Sequence, residues 1–502
     1  MSPDPLGQGG AEFPGRPRRT ARLLWAVVAL GSLLRGAVWL QQRSVYLDEV
    51  NLLRNFLERP YAGLFRGLDY EQYSPPLFSV LMKAAVAAFG PGELAIRAVP
   101  LLSSVGALVL FRHLAGRWLP PLAAGLALGF VAFGGVFLDF GTACKQYSTD
   151  GLVALALLAL ADRQVRRPAF GPGAAGGWAA GGAAAVWLSM PAVFVLAGVG
   201  ACFAYVYRAA WRRATGGRLL AVGACWGASF LLYFLLLLRA DAQSDYIQAF
   251  HRDAFLAFPP RSAADLRLLS QQLGGLVDKA FGKTVLAAVL AALGIGLSVP
   301  VLVRRRPALA WLLLTPWATC LGASALHYYS LVARLVLFLL PVGLLLLFLG
   351  LAPLLARRWV GPVVGLAVVL TLLNQQRLKH FVVPFRADYA DARAGLAYVA
   401  RRQQPGDTLF VYHNLAPVAY YYRTLHPRPL PLRTVLVEPP PPLGAAAAVL
   451  RDLDALADAG QRRRWLVYDR PNPLLLDWAA RRGAVRQRLD FDRGYAFLYE
   501  AR

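Results

Sequence analysis

Four clusters of polar residues interrupt an otherwise apolar chain, and each holds side chains able to do chemistry. The first is Tyr46-Leu47-Asp48-Glu49. Its adjacent carboxylates suit a general base or a metal ligand held at a surface, or else an N-cap followed by a first-turn acid. The second, Asp69-Tyr70-Glu71-Gln72-Tyr73-Ser74-Pro75-Pro76, reads plainly as a loop ending in a Pro-initiated interfacial helix with aromatic anchors. The third, Lys145-Gln146-Tyr147-Ser148-Thr149-Asp150, carries one of the chain's five lysines. Asp150 heads an apolar helix, so an N-cap is again the plain alternative. The fourth is His327-Tyr328-Tyr329-Ser330-Leu331-Val332-Ala333-Arg334. Arg334 either snorkels to headgroups or, at the mouth of a cavity shared with carboxylates, holds a phosphate bidentately.

The elements that must position these clusters follow from composition. The chain has 502 residues, 57% hydrophobic and 16% charged, with a mean hydropathy of +0.46. A soluble chain carries about a quarter charged residues, so this one is expected to be a polytopic α-helical membrane protein. The net charge of +25 is dominated by arginine, which in a membrane protein is retained on the cytoplasmic side; no nucleic-acid partner is expected. Four cysteines, Cys144, Cys202, Cys225 and Cys320, form no CxxC spacing and imply neither disulfide framework nor zinc site. The apolar stretch after the basic, Gly/Pro-rich tail lacks an A-x-A cleavage pattern and reads as a first span.

Eleven spans are expected, at 20–41, 93–112, 119–139, 146–161, 173–189, 191–207, 218–239, 283–303, 307–326, 334–352 and 359–374. Arg16–Arg22, Arg112/Arg117, Arg163–Arg167, Arg208–Arg213, Arg304–Arg306 and Arg357/Arg358 then share one side. By the positive-inside rule that side is the cytoplasm, and all four polar clusters fall on the external face. Leu77–Phe89 is too short to span and is interrupted by Lys83. The external loop 42–92 therefore carries two surface-lying helices, near 48–58 and 76–89. Residues 1–19 are expected to be a disordered cytoplasmic tail, 20–374 the membrane domain, and 375–502 a small, separately folding α/β extracytoplasmic domain. That domain is expected to contain a helix at Asp391–Arg402, a strand at Thr408–Tyr412, a linker at Pro439–Pro442, and a helix at Ala445–Ala459. A strand at Trp465–Tyr468, a helix at Leu474–Arg482 and a strand at Tyr495–Tyr499 complete it. The loop 241–282 is expected to fold over the site as a lid, with Gly274 and Gly275 giving backbone freedom and Asp245, His251 and Arg252 giving polar contacts.

The order of basic tail, span, Asp48-Glu49, long external loop, Pro75-Pro76-Leu77 and Gly92-Glu93-Leu94-Ala95-Ile96-Arg97-Ala98-Val99-Pro100 resembles the bacterial glycosyltransferase family 39 group. These GT-C-fold enzymes are related to protein O-mannosyltransferases and to the lipid A aminoarabinose transferase. Lys145–Asp150 is similar to their second acidic motif, and Arg334 with the Leu-rich run to Pro341 to a later one. The resemblance covers roughly 20–350. One departure is Leu335, where a Tyr often follows that Arg. The resemblance implies transfer of a sugar from a polyprenyl-phosphate donor to a glycan, lipid or protein acceptor at the external face of the inner (plasma) membrane. Asp48 would match the catalytic carboxylate, with Glu49 beside it as the fallback base, and Asp150 the second acid. Lys145, Arg334 and Lys83 would bind the donor phosphate, and Tyr73, Tyr147, His327 and Tyr328 would line the substrate cavity. Some relatives hold a divalent cation, Mg or Mn, between the acidic motifs and others need none. In the first case Asp48, Glu49 and Asp150 would be its oxygen ligands.

Two other readings compete. A lipid-linked glycan flippase or transporter would bury ionisable groups near the midplane, where this chain shows almost none. A non-catalytic envelope protein would have no reason to keep Asp48, Lys145, Asp150 and Arg334 together.

Overall fold

The computed structural model describes residues 18–212, 214–239, 245–375, 391–411, 415–432, 434–437, 463–468, 477, 480–481, 483–491 and 494–501. Helices occupy all eleven expected stretches. In chain order the described helices begin with α1 (Arg18–Leu40), α2 (Leu47–Glu58), α3 (Pro76–Phe89), α4 (Ala98–Trp118), α5 (Pro121–Phe133), α6 (Gly135–Gly141) and α7 (Tyr147–Val165). There follow α8 (Pro172–Leu188), α9 (Ala192–Val206), α10 (Ala214–Tyr233), α11 (Asp245–Phe250), α12 (Ala263–Ala280), α13 (Val285–Arg305), α14 (Pro307–Ala325), α15 (Leu340–Leu355) and α16 (Val360–Gln375). Among the described residues, five helices are long and apolar enough to cross a membrane, and six if the bent pair α5–α6 counts as one span. The protein is a polytopic helical membrane protein. The two helices expected in the loop 42–92 are present as α2 and α3, the latter started by Pro76. The expected span at 334–352 begins later, at Leu340 with Pro341 in its first turn, because 331–339 runs as turns. Helices α13 and α15 cross at two glycines. A Cβ on Gly350 would collide with the Gly294 carbonyl, so only small residues permit this approach.

One span is broken where hydropathy shows nothing. Helices α5 and α6 meet at Gly134 with a bend of 46°. A helix end leaves its last carbonyls without partners, which in a bilayer interior costs several kcal/mol each. Arg35, in α1 and 1% exposed, supplies the missing donors. Its Nη1 donates to Ala132 O (2.8 Å), its Nη2 to Val131 O (2.7 Å) and its Nε to Ser104 Oγ (2.8 Å). A buried charge within a span is thus present at Arg35, where it closes the break. Arg35→Leu is expected to strand both carbonyls and lower stability by roughly 2 kcal/mol or more, read as a drop in melting temperature in detergent. Arg35→Lys should not rescue it, since a single ammonium cannot reproduce the guanidinium fork. Unchanged melting in Arg35→Leu would refute this role.

Beyond the spans lie α17 (Ala392–Arg402), β1 (Thr408–Val411), α18 (Ala416–Tyr420), β2 (Thr434–Val437), β3 (Arg463–Tyr468), β4 (Gly483–Phe491) and β5 (Gly494–Ala501). They form a sheet of order β2-β1-β3-β5-β4, parallel at β2-β1-β3 and antiparallel at β3-β5-β4. The expected α/β character is present, with two strands the sequence did not signal. The expected linker Pro439–Pro442, the helix Ala445–Ala459 and most of Leu474–Arg482 lie outside the described residues, as does the tail 1–17. Among the described residues this domain has no core to itself. Leu396, Val399, Leu409, Val418, Tyr421 and Tyr422 belong to one buried cluster with Ile96 and with Val45, Val50, Leu53, Phe56 and Phe78 of the loop 42–92. The tail, expected to fold separately, shares this cluster with α2 and α3.

Candidate active site at the end of the first span

Helix α2 starts at Leu47 with Tyr46 as a non-bonding N-cap, so Asp48 is a first-turn residue and caps nothing. Its side chain is 35% exposed, with Oδ2 lying 3.9 Å from Nη1 of Arg334. Arg334 stands in the turns before α15, and the Tyr329 hydroxyl holds that turn by donating to Leu335 O (2.7 Å). Lys145, on the loop between α6 and α7, is 5% exposed and donates to Gln72 Oε1 (2.6 Å). Burial pushes the Lys145 ammonium below its usual range; the Asp48 carboxylate pulls it back up and Arg334 pushes it further down. Three residues from three distant stretches thus share one field: a carboxylate with two cations. Gln72 follows Tyr70 and Glu71, both left-handed (φ 64° and 53°), a costly bend braced by Arg59 on Asp69 (2.5 Å) and by Arg54 over the Tyr70 ring.

Glu49, the neighbour of Asp48, does something else. It is fully buried, pairs with Arg97 (Oε2 to Nη2, 2.6 Å), and accepts the Cys144 amide at Oε1 (2.7 Å). Residues 49, 52, 53 and 56 form the buried stripe of α2, so Glu49 sits on the core side while Asp48 is turned off it. That helical spacing was the available signal.

Asp150 is not an N-cap either, since α7 starts at Tyr147 after Gln146. It is 5% exposed, with the Ser189 side chain close to its carboxyl group. Tyr73 and Tyr329 are near enough to feel an Asp150 carboxylate. Tyr73 is hydrogen-bonded to Tyr233 through their hydroxyls, and Tyr147 packs edge-on against Phe140. Asp150 therefore heads an aromatic, tyrosine-lined region behind Gln72.

Three expected site residues make other contacts or are exposed. Lys83 lies between α2 and α3, where it donates to Phe56 O (2.7 Å) and faces the Tyr61 ring, so it is engaged apart from the Asp48 cluster. His327 and Tyr328 are exposed. His327 stacks flat on Phe255 (5.0 Å), while the adjacent Tyr329, passed over in the sequence, is the buried one. Three aromatic-type residues in a row gave no means of choosing. Residues 254–256 of the loop 241–282 bond to this stretch: Leu331 N donates to Ala254 O (2.8 Å) and Leu256 N to Ser324 Oγ (2.9 Å). His251 lies within that loop, its pKa lowered by burial and by Arg334. Gly274 and Gly275, however, lie inside α12 and give no hinge; the Asp245 side chain lies outside the described residues.

Among the described residues no three His, Cys, Asp or Glu side chains gather as a metal site. Of the expected oxygen ligands, Glu49 is already paired with the Arg97 guanidinium, which leaves Asp48 and Asp150.

No family model matches the sequence, and no curated protein does. Among solved structures, the chain is similar to the oligosaccharyltransferase of Archaeoglobus fulgidus in complex with Zn and sulfate. The TM-score is 0.51 at 13% identity, over 90% of this chain and 69% of that one. Its apo form gives 0.50 at 13% identity, over 91% and 70%. ArnT from Cupriavidus metallidurans bound to undecaprenyl phosphate gives 0.41 at 16% identity, over 94% of this chain and 97% of that one. The likeness to the oligosaccharyltransferase shows the fold, the GT-C architecture that the sequence resemblance implies.

Proposed function

We propose that this protein is a membrane glycosyltransferase that moves a sugar from a polyprenyl-phosphate donor to an acceptor hydroxyl at the external face of the plasma membrane. The observation that carries the reading is the half-exposed Asp48 carboxylate beside two cations, Arg334 and Lys145, just past the end of a span. Asp48 takes the acceptor hydroxyl's proton as its oxygen attacks the anomeric carbon. The bond from that carbon to the phosphate oxygen breaks, and the lipid phosphate leaves with the electron pair. Its charge gathers where Arg334 and Lys145 stand. One displacement inverts the anomeric centre. Asp150 is assigned to the sugar-facing side and Glu49 to holding α2 in place. Residues 1–19 are assigned to the cytoplasm, 20–374 to the membrane part and 375–502 to the external domain.

A conduit is the less favoured reading. A buried cation within a span, Arg35, has its donors spent on backbone carbonyls and a serine and not on a conducted ligand. The purified protein in detergent, given radiolabelled polyprenyl-phosphate sugars and cell-envelope fractions, is expected to transfer label with inversion. Uptake of labelled lipid across vesicles without transfer would replace the enzyme with a transporter.

A further inference from the structure

The segment 41–46 joins the first span to α2 and so sets where Asp48 stands. It has no secondary structure of its own, and Gln42 is left-handed there (φ 47°), a conformation that persists only when neighbours hold it. Its backbone is gripped from two sides. Arg97, from the membrane part, donates to Arg43 O (2.6 Å) and Ser44 O (3.3 Å). The other grip comes from more than three hundred residues away. Arg393 of α17 donates through Nη2 to Gln42 O (2.9 Å) and through its amide to Ser44 Oγ (3.2 Å). The Tyr422 hydroxyl accepts the Val45 amide (3.2 Å).

Both residues are themselves fixed by Glu93, which is 3% exposed. Glu93 Oε1 accepts from Arg393 Nη1 (3.0 Å) and from the Tyr422 hydroxyl (3.0 Å), and its Oε2 bonds His426 Nε2 (2.9 Å). Tyr421 adds a bond to Pro91 O (2.7 Å). A carboxylate satisfied by three groups from one domain, two of which, Arg393 and Tyr422, also reach the segment 42–46, is a built joint. Docking alone would need only the shared apolar cluster.

We infer that the C-terminal domain is the second jaw of a clamp on residues 42–46, with Tyr422 and Arg393 as positioning residues that hold Asp48 against Arg334 and Lys145. This rests on the proposed role of Asp48. Neither residue touches substrate. Their effect passes through the backbone, so it should appear in turnover more than in donor affinity.

Hydrogen exchange of the full-length protein in detergent, followed by mass spectrometry, tests it without any donor. Tyr422→Phe keeps the ring in the core and removes only the hydroxyl. Amides of 42–50 are expected to exchange about tenfold faster, the scale of one lost hydrogen bond, while peptides of β1, β3 and β5 keep their rates. Arg393→Gln should do the same. Turnover of a radiolabelled polyprenyl-phosphate hexose should fall about tenfold with KM within about twofold. Unchanged exchange at 42–50, or equal acceleration across the sheet, would overturn the clamp. If 42–50 responds as expected yet Asp48→Asn retains normal turnover, the clamp stands and the role given to Asp48 fails.

Discussion

Asp48→Asn is expected to lower sugar transfer by about 10²–10⁴-fold, the range typical of a lost general base, with donor affinity little changed. Asparagine preserves size and shape and removes only the ability to take a proton. Capping cannot confuse the outcome, because Tyr46 holds the N-cap position and makes no side-chain bond there. Nor can unfolding. The pair with Arg334 spans 3.9 Å with side chains 35% and 23% exposed, and ion pairs of that kind contribute about 0–1 kcal/mol at most. A side-by-side measurement of turnover, donor affinity and melting separates the roles. Arg334→Ala should weaken donor binding first, about 10-fold or more, since a phosphate loses a charge-assisted partner. Asp150→Asn should lower turnover less than Asp48→Asn, because Asp150 faces tyrosines and Ser189 and not the two cations. Near-normal turnover in Asp48→Asn would end the proposed mechanism.

The architecture was legible where a single physical quantity decides it. Apolar length marks the helices, and Pro76 and Pro341 mark helix starts. The bend at Gly134 was not legible. The run 119–139 is uniformly apolar, and what closes the break is an arginine almost a hundred residues earlier. Strand β4 was hidden for a different reason. Its Arg486, Arg488 and Asp490 are exposed on a sheet edge, where charge protects against further pairing and reads in sequence as loop. At the site, residue type found Asp48, Lys145 and Arg334, which now share one field. It also proposed Lys83, His327 and Tyr328, which the packing of α2 on α3 and of Phe255 on His327 directs elsewhere. The clamp residues Tyr422, Arg393 and Glu93 carried no usable signal, since nothing local links position 42 to position 422.

The Asp48-Glu49 pair is where type alone misleads most, and stability measurements should divide its two members. Glu49 and Arg97 are 0% and 2% exposed in side chain, joined at 2.6 Å. Each also serves backbone groups: Glu49 the Cys144 amide, Arg97 the carbonyls of Arg43 and Ser44. Removing one partner leaves the other as an uncompensated buried charge, so Arg97→Met is expected to cost about 3–5 kcal/mol. The double variant Glu49→Leu/Arg97→Met removes both charges and should recover part of that loss, though not all, because the Cys144 amide and two carbonyls stay unpaired. Glu49→Gln keeps the shape and an acceptor for Cys144 but weakens the hold on Arg97. Its apparent melting temperature in detergent should fall, and its turnover should fall only as the folded fraction does. A general base behaves the opposite way. If Glu49→Gln melts like the unaltered protein yet transfers no sugar, the proton belongs to Glu49, and the buried pair with Arg97 must open during the reaction.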